Sequence, residues 1–139
     1  MNTLSLGWSQ AQAKGALTRF QRLYGINLIL QSLIGLICLL APGLGAWITG
    51  IEPSQARPLL QVWGAMVVAA SALQGLAWRD PIRLRFQVAI AIGIRVWMAI
   101  VFLCLGLEFW RFAAFDAGFA LALGILFYRA LIAELQTRP

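Results

Sequence analysis

Apolar residues gather into four long runs along the chain, each near the roughly 20 residues that cross a hydrocarbon core about 30 Å thick. The first extends from about Leu23 to Leu40 and stops at Ala41-Pro42-Gly43, a combination that ends helices. The second, about Pro58 to Trp78, opens on a proline suited to a first helical turn. The third covers about Leu84 to Leu107 and the fourth about Phe112 to Leu131. The links are short except for Pro42 to Arg57, rich in Gly and Pro, with Trp47 and Trp63 near an expected interface. The pattern predicts an all-α fold, an integral membrane four-helix bundle over 23–131, with an N-terminal segment at 1–22 and a cytoplasmic tail at 132–139. No linker, low-complexity run or internal repeat divides it.

Segment 1–22 is too polar to span. Trp8, Leu17, Phe20 and Leu23 alternate with Lys14, Arg19 and Arg22, a pattern that suits an amphipathic helix lying among headgroups. A partly ordered tail is the plainer expectation. A cleaved signal peptide fits less well, because the basic region is long and three more spans follow; the first span is taken as retained.

Composition supports lipid as the solvent. Of 139 residues, 61% are hydrophobic and 12% charged, with a mean hydropathy of +0.81; a soluble domain carries about a quarter charged residues. The net charge of +6 raises nucleic acid as a partner, and the placement of the cations decides against it. Lys14, Arg19 and Arg22, then Arg79, Arg83 and Arg85, then Arg129 and Arg138 all fall on one predicted side. Arg57 and Arg111 fall on the other, with Glu52, Glu108 and Asp116. Cytoplasmic loops carry the Lys and Arg excess, so both termini are expected in the cytoplasm of a cell with a bacterial-type inner membrane or its equivalent, the cations facing anionic headgroups. The chain has no histidine, which removes the commonest metal and haem ligand and the usual base near neutral pH. Cys38 and Cys104 lie inside apolar runs without a Cys-x-x-Cys spacing, so they read as small buried hydrophobes. No cofactor is expected from these residues: neither a metal nor a histidine-held haem or chlorophyll. A bound lipid or quinone stays open.

The remaining cation, Arg95, lies near the middle of the third run, about 16 to 18 Å from either end by helical rise. An arginine at that depth costs at least about 2.5 to 3.5 kcal/mol and must turn away from lipid. Asn27 and Gln31, at i and i+4 in the first run, and Ser71 and Gln74, at i and i+3 in the second, fall within reach in the cytoplasmic half. Together with Arg95 they form an expected polar cluster, with Trp97 either lining it or facing lipid. Asp116, the one acid inside a span, falls about 12 Å from Arg95 in depth, so a direct pair calls for a shifted register. Two readings of the cluster stand side by side. In one, amides and carbonyls satisfy Arg95 within the bundle. In the other, Arg95 meets a lipid headgroup, a quinone oxygen or a carboxylate from a neighbouring chain.

Small residues recur at i, i+4 spacing: Ala114, Gly118 and Ala122 in the fourth run, Ala89 with Gly93, and Ser71 with Gly75. Such stripes let helices approach closely in lipid, first within the bundle and second between chains. Trp8, Trp47, Trp78, Trp110 and Phe112 fall where interfacial aromatic belts are expected.

Tyr24-Gly25 opening the first span, Ala41-Pro42 closing it, Trp63-Gly64-Ala65 in the second, Arg79-Asp80-Pro81 at its end and an acid in the fourth make a recognisable layout. It resembles the small four-span bacterial membrane proteins of the DoxX-like and related uncharacterised groups, over roughly Leu23 to Arg129. The resemblance implies a four-helix bundle and no particular activity. Other four-span types fit less well. Small multidrug exporters need a glutamate in the first span, fluoride-channel-like dimers insert both ways round, and disulfide-generating quinone reductases need paired cysteines.

The first expectation for function is a non-catalytic accessory or scaffolding subunit, packed against other membrane chains or its own copies. The second is a binder or carrier of a lipophilic small molecule, quinone or lipid, using Arg95 and Gln31. A lipid- or isoprenoid-modifying enzyme with Asp116 or Glu108 as acid is the third.

Overall fold

The computed structural model describes residues 9–50 and 53–137, without the side chains of 53–56. Trp8, Glu52 and Arg138 lie outside the described residues. Among the described residues five helices follow one another: α1 (Gln10–Leu40), α2 (Pro42–Thr49), α3 (Pro53–Arg79), α4 (Arg85–Leu105) and α5 (Trp110–Thr137), with a 3₁₀ turn at Leu107–Phe109 before α5. Four helical stretches among the described residues are long and apolar enough to cross a membrane, as a multi-pass membrane protein requires.

Local chemistry sets the boundaries. Ser9 opens α1 with a capping box: its Oγ accepts from the Gln12 backbone N–H at 3.2 Å, and its own N–H donates to Gln12 Oε1 at 2.9 Å. From there α1 runs on unbroken, so residues 10–22 continue the helix of the first apolar run with no break between the two. The helix ends where Pro42 forces Ala41 out of the α region, to φ −132°. Pro42 then starts α2, a short helix in what hydropathy alone marks as a link, and Gly50 ends it in the left-handed region at φ 80°. Arg111 Nη1 donates to the carbonyls of Trp47 and Ile48, 3.2 Å each, a cation placed at the negative end of a helix. Helix α3 begins at Pro53, five residues before the expected start, leaving Pro58 inside it. In the turn to α4, Asp80 Oδ1 accepts from the Arg83 N–H at 3.1 Å.

The apolar core is divided. At the end shared by the start of α1 and the finish of α5, Phe20, Tyr24 and Leu28 pack on Leu123 and Phe127, with Ala77 and Val88 closing the cluster. At the opposite end Phe102 and Phe112 stack at 4.8 Å, and Trp63 meets Phe112 edge-on at 5.1 Å. Helices α1 and α3 touch most closely where two glycines face: a Cβ on Gly64 would lie 2.5 Å from the Gly35 carbonyl oxygen and 2.8 Å from the Leu39 nitrogen. Small residues at such a crossing trade side-chain bulk for backbone approach.

Around the bundle, α1 packs on α3 and α5, and α4 packs on α5, while α3 and α4 meet sparingly. Gln87 Nε2 donates to the Leu73 carbonyl at 3.1 Å and holds α3 to α4 near their connecting turn. Beyond that point they diverge. This seam, closed at the turn and open above it, positions the candidate site.

Candidate functional site

Arg95 is 6% exposed, in the layer between the Phe20–Phe127 cluster and the Phe102–Phe112 cluster. Its Nη1 donates to Asp116 Oδ1 on α5 at 2.6 Å, and its Nη2 donates to Gln31 Oε1 on α1. The guanidinium carbon sits 5.7 Å from the ring centre of Phe115 and 5.8 Å from that of Phe119, within reach of a cation–π attraction. A carboxylate, an amide and two ring faces thus neutralise the charge and surround it.

The Asp116 pair corrects the expectation that no acid of this chain lies at Arg95's depth. Counting rise along two helix axes omits the length of an arginine stem and any difference in helix-end height. Gln31 joins Arg95 as expected. Ser71 does not, because its hydroxyl donates back to the Val67 carbonyl of its own helix at 2.7 Å, a common habit of helical serines. Asn27 is 0% exposed, and neither end of its amide has a hydrogen-bond partner; Gln74 Oε1 and the Tyr24 hydroxyl are likewise buried without one. Trp97 is 64% exposed and points out of the bundle, leaving the lipid-facing alternative. Two residues along a helix is about 200° of rotation, so neighbours in sequence face opposite ways.

The small-residue stripe of α5 also departs from expectation. Ala114 and Gly118 are exposed, a Cβ on Gly118 would meet nothing within 4 Å, and only Ala122 is half-buried. The same holds for Ala89 and Gly93 on α4 and for Gly75 on α3: the first two are exposed, and both glycines have open space. Apart from the buried Ser71 and the half-buried Ala122, the residues of these stripes do not pack inside the bundle. That role falls to Gly35 and Gly64, which spacing along one helix does not reveal.

Arg95, Gln31 and Asp116 line a cavity of about 470 Å³ in the α3–α4 seam. Met66, Val67 and Ala70 form its α3 wall, Ala91, Ile94 and Met98 its α4 wall, and Trp63 with Phe112 its far end. Gln74 contributes polar atoms at the turn side, Thr49 and Arg111 at the other. Met66 and Ile94 are exposed, so the cavity opens sideways between the helices. Small-molecule sites in general are mostly apolar recesses of this order of size on which a few polar groups converge. Among the described residues no group of three or more His, Cys, Asp or Glu could hold a metal. Sequence reading missed Phe115 and Phe119; their i, i+4 spacing flanking Asp116 was the available signal.

Comparison with family models, with curated proteins and with solved structures finds no match for this chain. The likeness to DoxX-like proteins therefore rests on the short motifs quoted from the sequence.

Proposed function

We propose that this protein binds or carries a lipophilic small molecule, a quinone or a lipid, in the seam between α3 and α4. The observation that carries this reading is the laterally open cavity of about 470 Å³, whose apolar walls end on Arg95, Gln31 and Gln74. A binding role needs no general base, which suits a chain without histidine. Native mass spectrometry of protein extracted from membranes should show a non-covalent adduct of lipid or quinone mass on the wild type. Ala70→Trp, which fills the seam from α3, should lose it. Equal adducts on both proteins, or none on the wild type, would refute this reading.

The outward stripes Ala89–Gly93 and Ala114–Gly118 favour a second reading, an accessory subunit that packs against another chain. In the same spectra it predicts a stoichiometric complex in place of the small-molecule adduct.

The orientation we propose puts both termini in the cytoplasm. Lys14, Arg19, Arg22, Arg79, Arg83, Arg85 and Arg129 all gather at the end of the bundle that carries the first turn of α1 and the last of α5. That clustering supports the assignment through the preference of cytoplasmic segments for cations. A green fluorescent protein fused after Pro139 should fluoresce and an alkaline phosphatase at the same place should stay inactive. The reverse pair of results would turn the topology over.

A further inference from the structure

We infer that the cavity selects an uncharged amphiphile, an apolar tail with a hydrogen-bonding oxygen at its head, and turns away anionic lipids. This rests on the reading of the seam as a lipophile site. Among the described residues three charged groups face the cavity: Arg95 and Asp116 inside it, and Arg111 at its outer end. The inner two are joined at 2.6 Å, so the interior carries no net charge. Arg111 is exposed and already directed at the carbonyls of Trp47 and Ile48. An anionic head reaching Arg95 has two options, and both are unfavourable. Displacing Asp116 strands that carboxylate in an apolar recess, and joining it sets like charges side by side where water does not screen them.

The polar capacity left over suits a neutral head. Arg95 has five N–H donors, and its bonds to Asp116 and Gln31 leave others to meet a carbonyl, ether or hydroxyl oxygen. The Gln74 amide, whose Oε1 is without a partner, complements an O–H or a carbonyl according to how it is turned. The walls fit the tail: Met66 and Met98 are flexible, adaptable surfaces, and the exposed Met66 and Ile94 leave a sideways way out to the acyl chains. Quinones, quinols and long-chain alcohols share this chemistry; fatty acids and phosphatidylglycerol do not.

The test compares purified full-length protein in neutral-detergent micelles against four probes: decylubiquinone, hexadecanol, palmitate at a pH where it is ionised, and phosphatidylglycerol. Binding is read by displacement of a fluorescent lipid analogue. Decylubiquinone or hexadecanol should bind at least about tenfold tighter than either anion, a difference of about 1.4 kcal/mol. Asp116→Asn, which leaves Arg95 without a counter-charge, should raise palmitate affinity relative to that of decylubiquinone by about tenfold or more. Should that variant fail to fold, Arg95→Gln combined with Asp116→Asn provides an uncharged pair, which should keep the wild-type order of probes. Palmitate or phosphatidylglycerol binding the wild type as tightly as the neutral probes would overturn the selectivity while leaving the site in place. A wild type that binds none of the four would overturn the lipophile reading itself.

Discussion

Asp116→Leu alone should cost the folded protein about 3 to 5 kcal/mol, the price of a buried ion left without its partner. Combining it with Arg95→Met should return most of that loss. The expectation follows from the geometry: Arg95 Nη1 and Asp116 Oδ1 are 2.6 Å apart with side chains 7% and 17% exposed. Neither group reaches water easily, so a survivor keeps its desolvation cost without the compensating attraction. Gln31 and the faces of Phe115 and Phe119 remain around Arg95, and neutral contacts of this kind soften the loss without replacing a counter-ion. Replacing both partners by apolar groups removes the cost as well as the attraction, and such exchanges are often neutral. Unfolding of the wild type, both single variants and the double variant by increasing mole fraction of dodecyl sulfate in mixed micelles gives the four free energies of a double-mutant cycle. A double variant no more stable than Asp116→Leu would show that the pair is not what holds this layer.

The second large effect belongs to a matched pair of glycine substitutions with opposite consequences. Gly64→Ala should destabilise the bundle by about 1 to 3 kcal/mol, as overpacking does. Its new Cβ would lie 2.5 Å from the Gly35 carbonyl oxygen and 2.8 Å from the Leu39 nitrogen. Both are backbone atoms, so relief comes only by pushing α1 and α3 apart along their most extensive contact. Gly93→Ala makes the same chemical change mid-helix, where a Cβ meets nothing within 4 Å. It should be neutral or gain up to about 1 kcal/mol from helix propensity. The same dodecyl sulfate titration reads both; equal effects would mean that the α1–α3 crossing is looser than its geometry.

The spans were legible because lipid demands long apolar runs, and their ends because Pro42 and the Asp80-Pro81 turn carry strong backbone preferences. The first turns of α1 were not, since Lys14, Arg19 and Arg22 lower the local hydropathy while Ala13, Ala16 and Phe20 bury a full helical face beneath them. Helix α2 hid in a stretch whose glycines and proline argue for a loop. In the site, Arg95 stood out because its cost at that depth is large and local to one residue. Its pairing with Asp116 depends on the relative heights of two helices, which no single run of sequence encodes. The same limit explains the glycines: a stripe is a property of one helix, whereas the Gly35–Gly64 contact joins residues from two.

The seam between α3 and α4 is fastened at its cation-rich end by Gln87 and the 80–84 turn and opens sideways further along. For a molecule that reaches it sideways, the aqueous phase is not the reservoir. Occupancy would follow the mole fraction of that molecule among the surrounding lipids, so dilution of the cells' medium would leave it unchanged while a shift in membrane composition would not.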